Sequence, residues 1–120
     1  MPESFQSLLV WQRAIELTVQ IYQLTSKFPD SERFGLTNQL RRAAVSVASN
    51  IAEGYGRTSG GEYIQFLGHA RGSNHEIETQ LIIARQLGFG AKQTLDRGEE
   101  LSLEVSRMLS TMIIGMRKRR

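Results

Sequence analysis

Apolar side chains recur every three or four residues in four stretches of this chain, and no stretch sustains the apolar–polar alternation of a strand. The first stretch runs from about Ser7 to Phe28. At about 100° per residue, Val10, Trp11, Ala14, Ile15, Leu17, Ile21, Tyr22, Leu24 and Phe28 share one side, opposite Arg13, Glu16, Gln20, Gln23 and Lys27. That arc is wider than the minimal stripe of a surface helix. The second stretch, about Thr37 to Tyr55, has a narrow stripe of Leu40, Ala44, Val47, Ile51 and Tyr55 flanked by alanines. The third, about Gly61 to Leu87, aligns Tyr63, Phe66, Leu67, Ala70, Ile77, Leu81 and Ala84. The fourth, about Ala91 to Lys118, aligns Leu101, Val105, Met108, Leu109, Met112, Ile113 and Met116. Prolines at 2 and 29 and glycine clusters at 54–61 and 88–90 supply the breaks. Four amphipathic helices with short connectors predict an all-α, antiparallel up-down-up-down four-helix bundle. It forms a single domain over 1–120 with a short basic tail at 117–120.

The segment "SNIAEGYGRTSGG" at 49–61 holds Gly54, Gly56, Gly60 and Gly61. It matches neither the dinucleotide fingerprint nor the phosphate-binding loop, and a helix rather than a strand precedes it. It reads as a corner. Gly54 or Gly56 in the left-handed conformation would end one helix, and Ser59 with Glu62 forms a capping box for the next. An anion at that helix N-terminus, beside Arg57, is the alternative use.

Composition narrows the classes. Among 120 residues there is no cysteine, which excludes disulfides and thiolate metal sites. No apolar run reaches the roughly 20 residues of a membrane span, and "MPESFQSLLVWQ" has no secretory pattern. A cytoplasmic location and no membrane partner are expected. The formal net charge is +3 and the pI about 9.7, a balance that permits a polyanion partner without demanding one.

Residues suited to chemistry are few. No Glu-x-x-His pair exists, and His69 and His75 point about 120° apart on one helix. No histidine–carboxylate arrangement serves a serine nucleophile. The expectation is therefore no catalytic residue, no metal, no cofactor and no enzymatic activity. A polar network is expected instead from Arg42, Ser46, Asn50 and Glu53 on the second helix, with Asn74 and Glu78 on the third bonding to a neighbouring helix. Leu9, Val19, Ile82, Ile83, Leu103 and Ile114 fall outside the stripes. With the wide first arc they predict self-association. Met108, Met112 and Met116 form a ladder suited first to core filling and second to adaptable contacts.

Several segments taken together resemble one family. "LLVWQRAIELTVQIYQLTSKFP", "RFGLTNQLRRAAVSVASNIAEGYGR", "EYIQFLGHARGSNHEIETQLIIARQLGF" and "VSRMLSTMI" closely resemble the 23S rRNA intervening-sequence, or four-helix bundle, protein family over about Phe5 to Arg117. The resemblance implies a ring-shaped homopentamer without enzymatic activity. It also implies kinship with the accessory variability protein of diversity-generating retroelements, a basic pentamer that binds nucleic acid and a reverse transcriptase. Motif positions matched are Arg42, Ser46, Asn50, Glu53, Gly54, Gly72, Glu78 and Gln80. Ala48 stands where the family usually has proline, so a straighter second helix is expected. Asn74 takes a usually apolar place and His75 a small one.

The leading functional expectation is an oligomeric bundle that contacts RNA or DNA phosphates without reading sequence. Its candidate cations are Arg41, Arg42, Arg57, Arg71, Arg117, Lys118, Arg119 and Arg120. The competing expectation is a protein-interaction scaffold that uses exposed apolar helix faces.

Overall fold

The computed structural model describes residues 4–119. After a single 3-10 turn at Phe5–Ser7, four helices follow: α1 Leu9–Thr25, α2 Leu36–Tyr55, α3 Gly60–Leu87 and α4 Lys92–Lys118. No strand occurs among the described residues. The expected all-α four-helix bundle is what forms.

Local chemistry sets the boundaries. α1 stops at Thr25, three residues short of the expected Phe28. Pro29 disfavours helical geometry in the residue before it, and the last turn tightens through bonds from Lys27 N to Leu24 O (3.2 Å) and Phe28 N to Thr25 O (3.0 Å). Phe28 is still buried. The Glu32 carboxylate accepts from the Leu36 amide at 3.0 Å and so caps the start of α2. α2 then runs unbroken through Ala48 to Tyr55. Ser59 caps α3 by accepting from the Glu62 amide at 3.2 Å, as the capping-box spacing predicts. Gly88, at φ 75°, ends α3 in the left-handed conformation.

The first glycine corner works differently from expectation. Gly54 lies inside α2 and is buried, and Gly56 has φ −78°. Only Gly88 and Gly90 have positive φ among the described residues. What Gly54 supplies is room. A Cβ there would stand 2.7 Å from the Phe66 Cβ and 3.1 Å from a ring carbon of Tyr63. Its lack of a side chain lets α2 and α3 meet closely where the chain turns.

α1 packs on α2 and α4, α3 packs on the same two, and the diagonal pairs stay apart. The resulting rod measures 46 × 20 × 20 Å. That suits a 28-residue helix, which spans about 42 Å at about 1.5 Å per residue. Side-chain bonds across the seams run antiparallel. Thr18 Oγ1 donates to Ala44 O (3.2 Å), Ser46 and Ser73 hydroxyls meet at 2.9 Å, and Arg13 reaches Glu104 at 2.8 Å.

Leu17, Ile21, Leu40, Val47, Ile51, Leu67, Ile77, Leu81, Val105 and Leu109 are all sealed from solvent. Burying each such side chain stabilises by about 1.5–3 kcal/mol. The wide arc of α1 divides along its length. Val10, Ala14, Leu17, Ile21 and Leu24 enter the core, while Ile15 and Tyr22 stay exposed at 37% and 43%. The methionine ladder lies at the core's edge: Met108, Met112 and Met116 are half-buried against it.

Candidate nucleic-acid interface

The antiparallel order brings the start of α1, the end of α2, the start of α3 and the end of α4 to one end of the rod. Of the predicted cations, Arg57, Arg117, Lys118 and Arg119 gather there, all exposed; Arg120 lies outside the described residues. No Asp or Glu follows Glu104 in the sequence, whereas Arg107, Arg117, Lys118, Arg119 and Arg120 do. The final turns of α4 therefore carry positive charge with no acidic side chain of their own. They stand at the helix terminus where cations are favoured.

The other predicted cations lie elsewhere. Arg41 is engaged within the fold: its Nε donates to Thr25 Oγ1 at 2.8 Å, and its guanidinium lies 4.5 Å above the Tyr22 ring. It clamps α2 to α1. Arg42 is exposed and borders a cleft of ≈ 540 Å³ with Tyr22, Asn38, Arg41, Val45 and Ser46. Arg71 sits midway along α3, half-buried, away from the end cluster. Arg42 and Arg71 make no ion pair among the described residues.

Among the described residues, every ion-paired carboxylate except Glu53 serves the α4 seams. Arg13 binds Glu16 and Glu104, each at 2.8 Å, and Arg97 binds Glu100 at 3.0 Å and Glu16 at 3.4 Å. Near the α3–α4 turn, Arg85 is held by Asp96 and Glu99, and Lys92 reaches Asp96 at 2.9 Å. Hydrogen bonds from Lys92 and then Arg85 hold the Asp96 carboxyl below its ordinary range. All these groups are exposed or only partly buried, so each pair adds little individually. Their collective effect is to neutralise Arg13, Arg85, Lys92 and Arg97.

The predicted polar network resolves into separate pieces. Asn50 Nδ2 donates to Ser46 O (2.8 Å) and to Ser46 Oγ (3.0 Å), and Ser46 continues to Ser73 across the α2–α3 seam. Asn74, fully buried, donates to Ser102 O at 2.8 Å and accepts from Ser102 Oγ at 3.0 Å. Two complementary bonds offset the cost of a buried amide. Glu53 pairs with Arg57 at 3.7 Å. Glu78 and Arg42 join none of these pieces; Glu78 borders a small cleft between α3 and α4. The partners Ser73 and Ser102 were not singled out in sequence, because nothing in their spacing distinguishes them from exposed serines. Gln80 stands at one of the matched motif positions. It is buried, donates to Gln39 Oε1 at 3.3 Å, and its own Oε1 finds no partner among the described residues.

Tyr55 and Tyr63 stand edge to face at 6.1 Å beside the glycine corner. Burial, and secondarily Tyr55, pushes the Tyr63 phenol upward, so it stays neutral near pH 7. The guanidinium of Arg57 lies 4.5 Å over the Phe66 ring, and Phe66 meets the His69 ring edge-on at 6.0 Å. This gathering of rings around a cation is a tertiary feature.

The flanks carry apolar grooves. Trp11, Ile15, Thr18, Val45, Ala48, Ser49 and Ala52 line one of ≈ 270 Å³ between α1 and α2, continuous at Val45 with the arginine-edged cleft. On the opposite flank, Leu81, Ile82 and Leu103 lie with Glu78 and Glu99 around ≈ 210 Å³. A third groove of ≈ 490 Å³ between α1 and α4 is lined by Leu8, Leu9, Val10, Arg107, Met108, Thr111 and Met112. No trio of His, Asp or Glu able to hold a metal occurs among the described residues. No helix of the described residues is long and apolar enough to cross a membrane.

Comparison with known proteins agrees with the fold. The profile described as 23S rRNA-intervening sequence protein matches residues 6–111. Among solved structures, a protein of unknown function from the S23 ribosomal protein family of Bacteroides thetaiotaomicron superimposes with a TM-score of 0.78. It shares 21% identity, and the alignment covers 88% of this chain and 98% of that one. No curated protein matches.

Proposed function

We propose that this chain, which belongs to the 23S rRNA-intervening sequence protein family, is a non-enzymatic, self-associating bundle that holds nucleic acid by its phosphate backbone in the cytoplasm. One observation supports the reading: Arg117, Lys118 and Arg119 project from the rod end where Arg57 also lies, make no ion pair among the described residues, and share α4 with no Asp or Glu beyond Glu104. Such a cluster releases counterions when it meets phosphates, and it needs no base contacts to do so.

The test is a salt titration of binding to structured RNA and to DNA. Affinity falls steeply between about 50 and 200 mM salt, and substituting Arg117, Lys118 and Arg119 with glutamate abolishes binding while leaving helicity intact. Salt-independent binding, or no retention of either nucleic acid at low salt, overturns the reading.

Self-association follows from the two opposite flanks. Each exposes large apolar side chains: Ile15, Val19, Tyr22 and Val45 on α1–α2, and Ile82, Leu103 and Ile114 on α3–α4. The first is edged by Arg41 and Arg42, the second by Glu78 and Glu99. Like flanks repel and unlike flanks attract, which favours head-to-tail contact and ring closure. Five copies is the number the resemblance implies. Light scattering gives a mass above the 13.5 kDa of one chain. Arg42→Glu lowers that mass, and adding Glu78→Arg restores it. A wild-type monomer at micromolar concentration refutes the idea.

The methionine-lined α1–α4 groove favours a second reading, a scaffold for another protein. A single partner retained after nuclease treatment, and lost with Met108→Glu, would support it over nucleic-acid binding.

A further inference from the structure

We infer that the glycine corner carries a stacking platform for an unpaired base of single-stranded nucleic acid, formed by the Arg57 guanidinium lying on Phe66, with His69 as a second ring. This rests on the phosphate-binding reading above and names the form of nucleic acid it serves.

The platform is built from the inside outward. Gly54 leaves the space that seats Phe66 against α2; a Cβ there would sit 2.7 Å from the Phe66 Cβ. Phe66 supports the Arg57 side chain, whose guanidinium carbon stands 4.5 Å above its ring centre. Glu53, one turn earlier on α2, holds the same guanidinium at 3.7 Å. The side chain is two-point supported yet 40% exposed. A guanidinium held over a ring and still part-exposed offers solvent a planar cation, and bases stack on guanidinium planes as they do on aromatic rings. His69, exposed and one turn along α3 from Phe66, meets that ring at 82°.

The form of the ligand follows from access. In a duplex both faces of each base are covered by neighbours, and only unpaired bases offer a face to a flat side chain. The corner shares its end of the rod with Arg117, Lys118 and Arg119. A strand whose base stacks at Arg57 therefore runs its phosphates towards those cations. The glycines thus serve the ligand indirectly: they bind no phosphate themselves, but they let the helices close up until a ring backs the arginine.

Two substitutions separate stacking from charge. Arg57→Lys keeps the charge and loses the plane; His69→Ala removes an exposed ring. The probes are labelled oligoadenylate of about 12 nucleotides, as RNA and as DNA, and a duplex of the same length. The wild type prefers the single strand to the duplex. Arg57→Lys lowers single-strand affinity about tenfold without changing the salt slope or duplex affinity, and His69→Ala lowers it by a smaller factor. The RNA and DNA arms tell whether the 2′-hydroxyl is read. Equal wild-type affinity for duplex and single strand overturns the inference, as does a pair of variants that both bind the single strand as the wild type does. If the wild type retains neither probe at low salt, the phosphate reading itself fails. Thermal melting of both variants checks that the corner stays folded, and His69→Ala, at an exposed position, remains informative if Arg57→Lys unfolds it.

Discussion

The two glycine corners of this bundle solve opposite problems. At the α3–α4 corner, glycine provides backbone conformation: Gly88 and Gly90 have φ of 75° and 81°. At the α2–α3 corner no described residue has positive φ, and glycine provides space instead, Gly54 admitting Phe66. The charges differ in the same sense. Arg85 and Lys92 beside the α3–α4 corner are neutralised by Asp96 and Glu99. Arg57 beside the α2–α3 corner shares a lone, looser pair with Glu53, at the end where Arg117, Lys118 and Arg119 emerge. The cations beside one corner are paired among themselves; beside the other, Arg117, Lys118 and Arg119 make no ion pair among the described residues. Counting glycines or arginines does not separate them, because each acts through what lies across from it.

Substitutions can break this contrast. Gly90→Ala has the largest expected effect. The new Cβ would require a strained φ and would stand 2.5 Å from a Leu24 methyl and 3.1 Å from the Phe28 ring. A loss of about 3 kcal/mol in urea denaturation follows from strain and overpacking together. Gly54→Ala comes next, at about 1–2 kcal/mol. Its clash is with the backbone-anchored Phe66 Cβ, but alanine recovers about 1 kcal/mol of helix propensity at this helical position. Gly88→Ala meets nothing within 4 Å and costs only the left-handed backbone, about 1 kcal/mol. If Gly54→Ala proved harmless and Gly88→Ala severe, the assignment of space to one corner and conformation to the other would be reversed.

The smallest effect is electrostatic. The Asp96 carboxyl titrates below its ordinary value of 3.8 because Lys92 and then Arg85 bind its charged form. Its stabilising contribution is complete above that ordinary value and disappears as the pH falls through the lower folded value. Acid unfolding of Asp96→Asn should therefore differ from the wild type at neutral pH and converge with it in strong acid. A constant offset across that range would detach the sealed corner from this ion pair.

Much of the architecture was legible in sequence, and the reasons are local. The three-to-four-residue recurrence of Leu40, Ala44, Val47 and Ile51 defines a face whatever lies opposite, and all four are sealed. Ser59 and Glu62 act within one turn, so their cap could be read directly. Pro29 was legible as a stop, though α1 ends three residues before Phe28 because the last turn tightens first. The candidate site was less legible. Arg41 and Arg57 look alike in the sequence, yet one is tied into the α1–α2 seam by Thr25 and Tyr22 while the other lies exposed on Phe66.

The sequence by itself determined the four helices, their inward faces and their punctuation, since each depends on residues within a turn or two of one another. The tertiary structure alone decided which glycine makes room and which bends the chain, that Ser102 answers Asn74, that Ile15 and Tyr22 of the α1 arc stay uncovered, and where the cations collect. Those outcomes depend on which helix face stands across the seam, and residues far apart in the chain carry no sign of their pairing until packing brings them together.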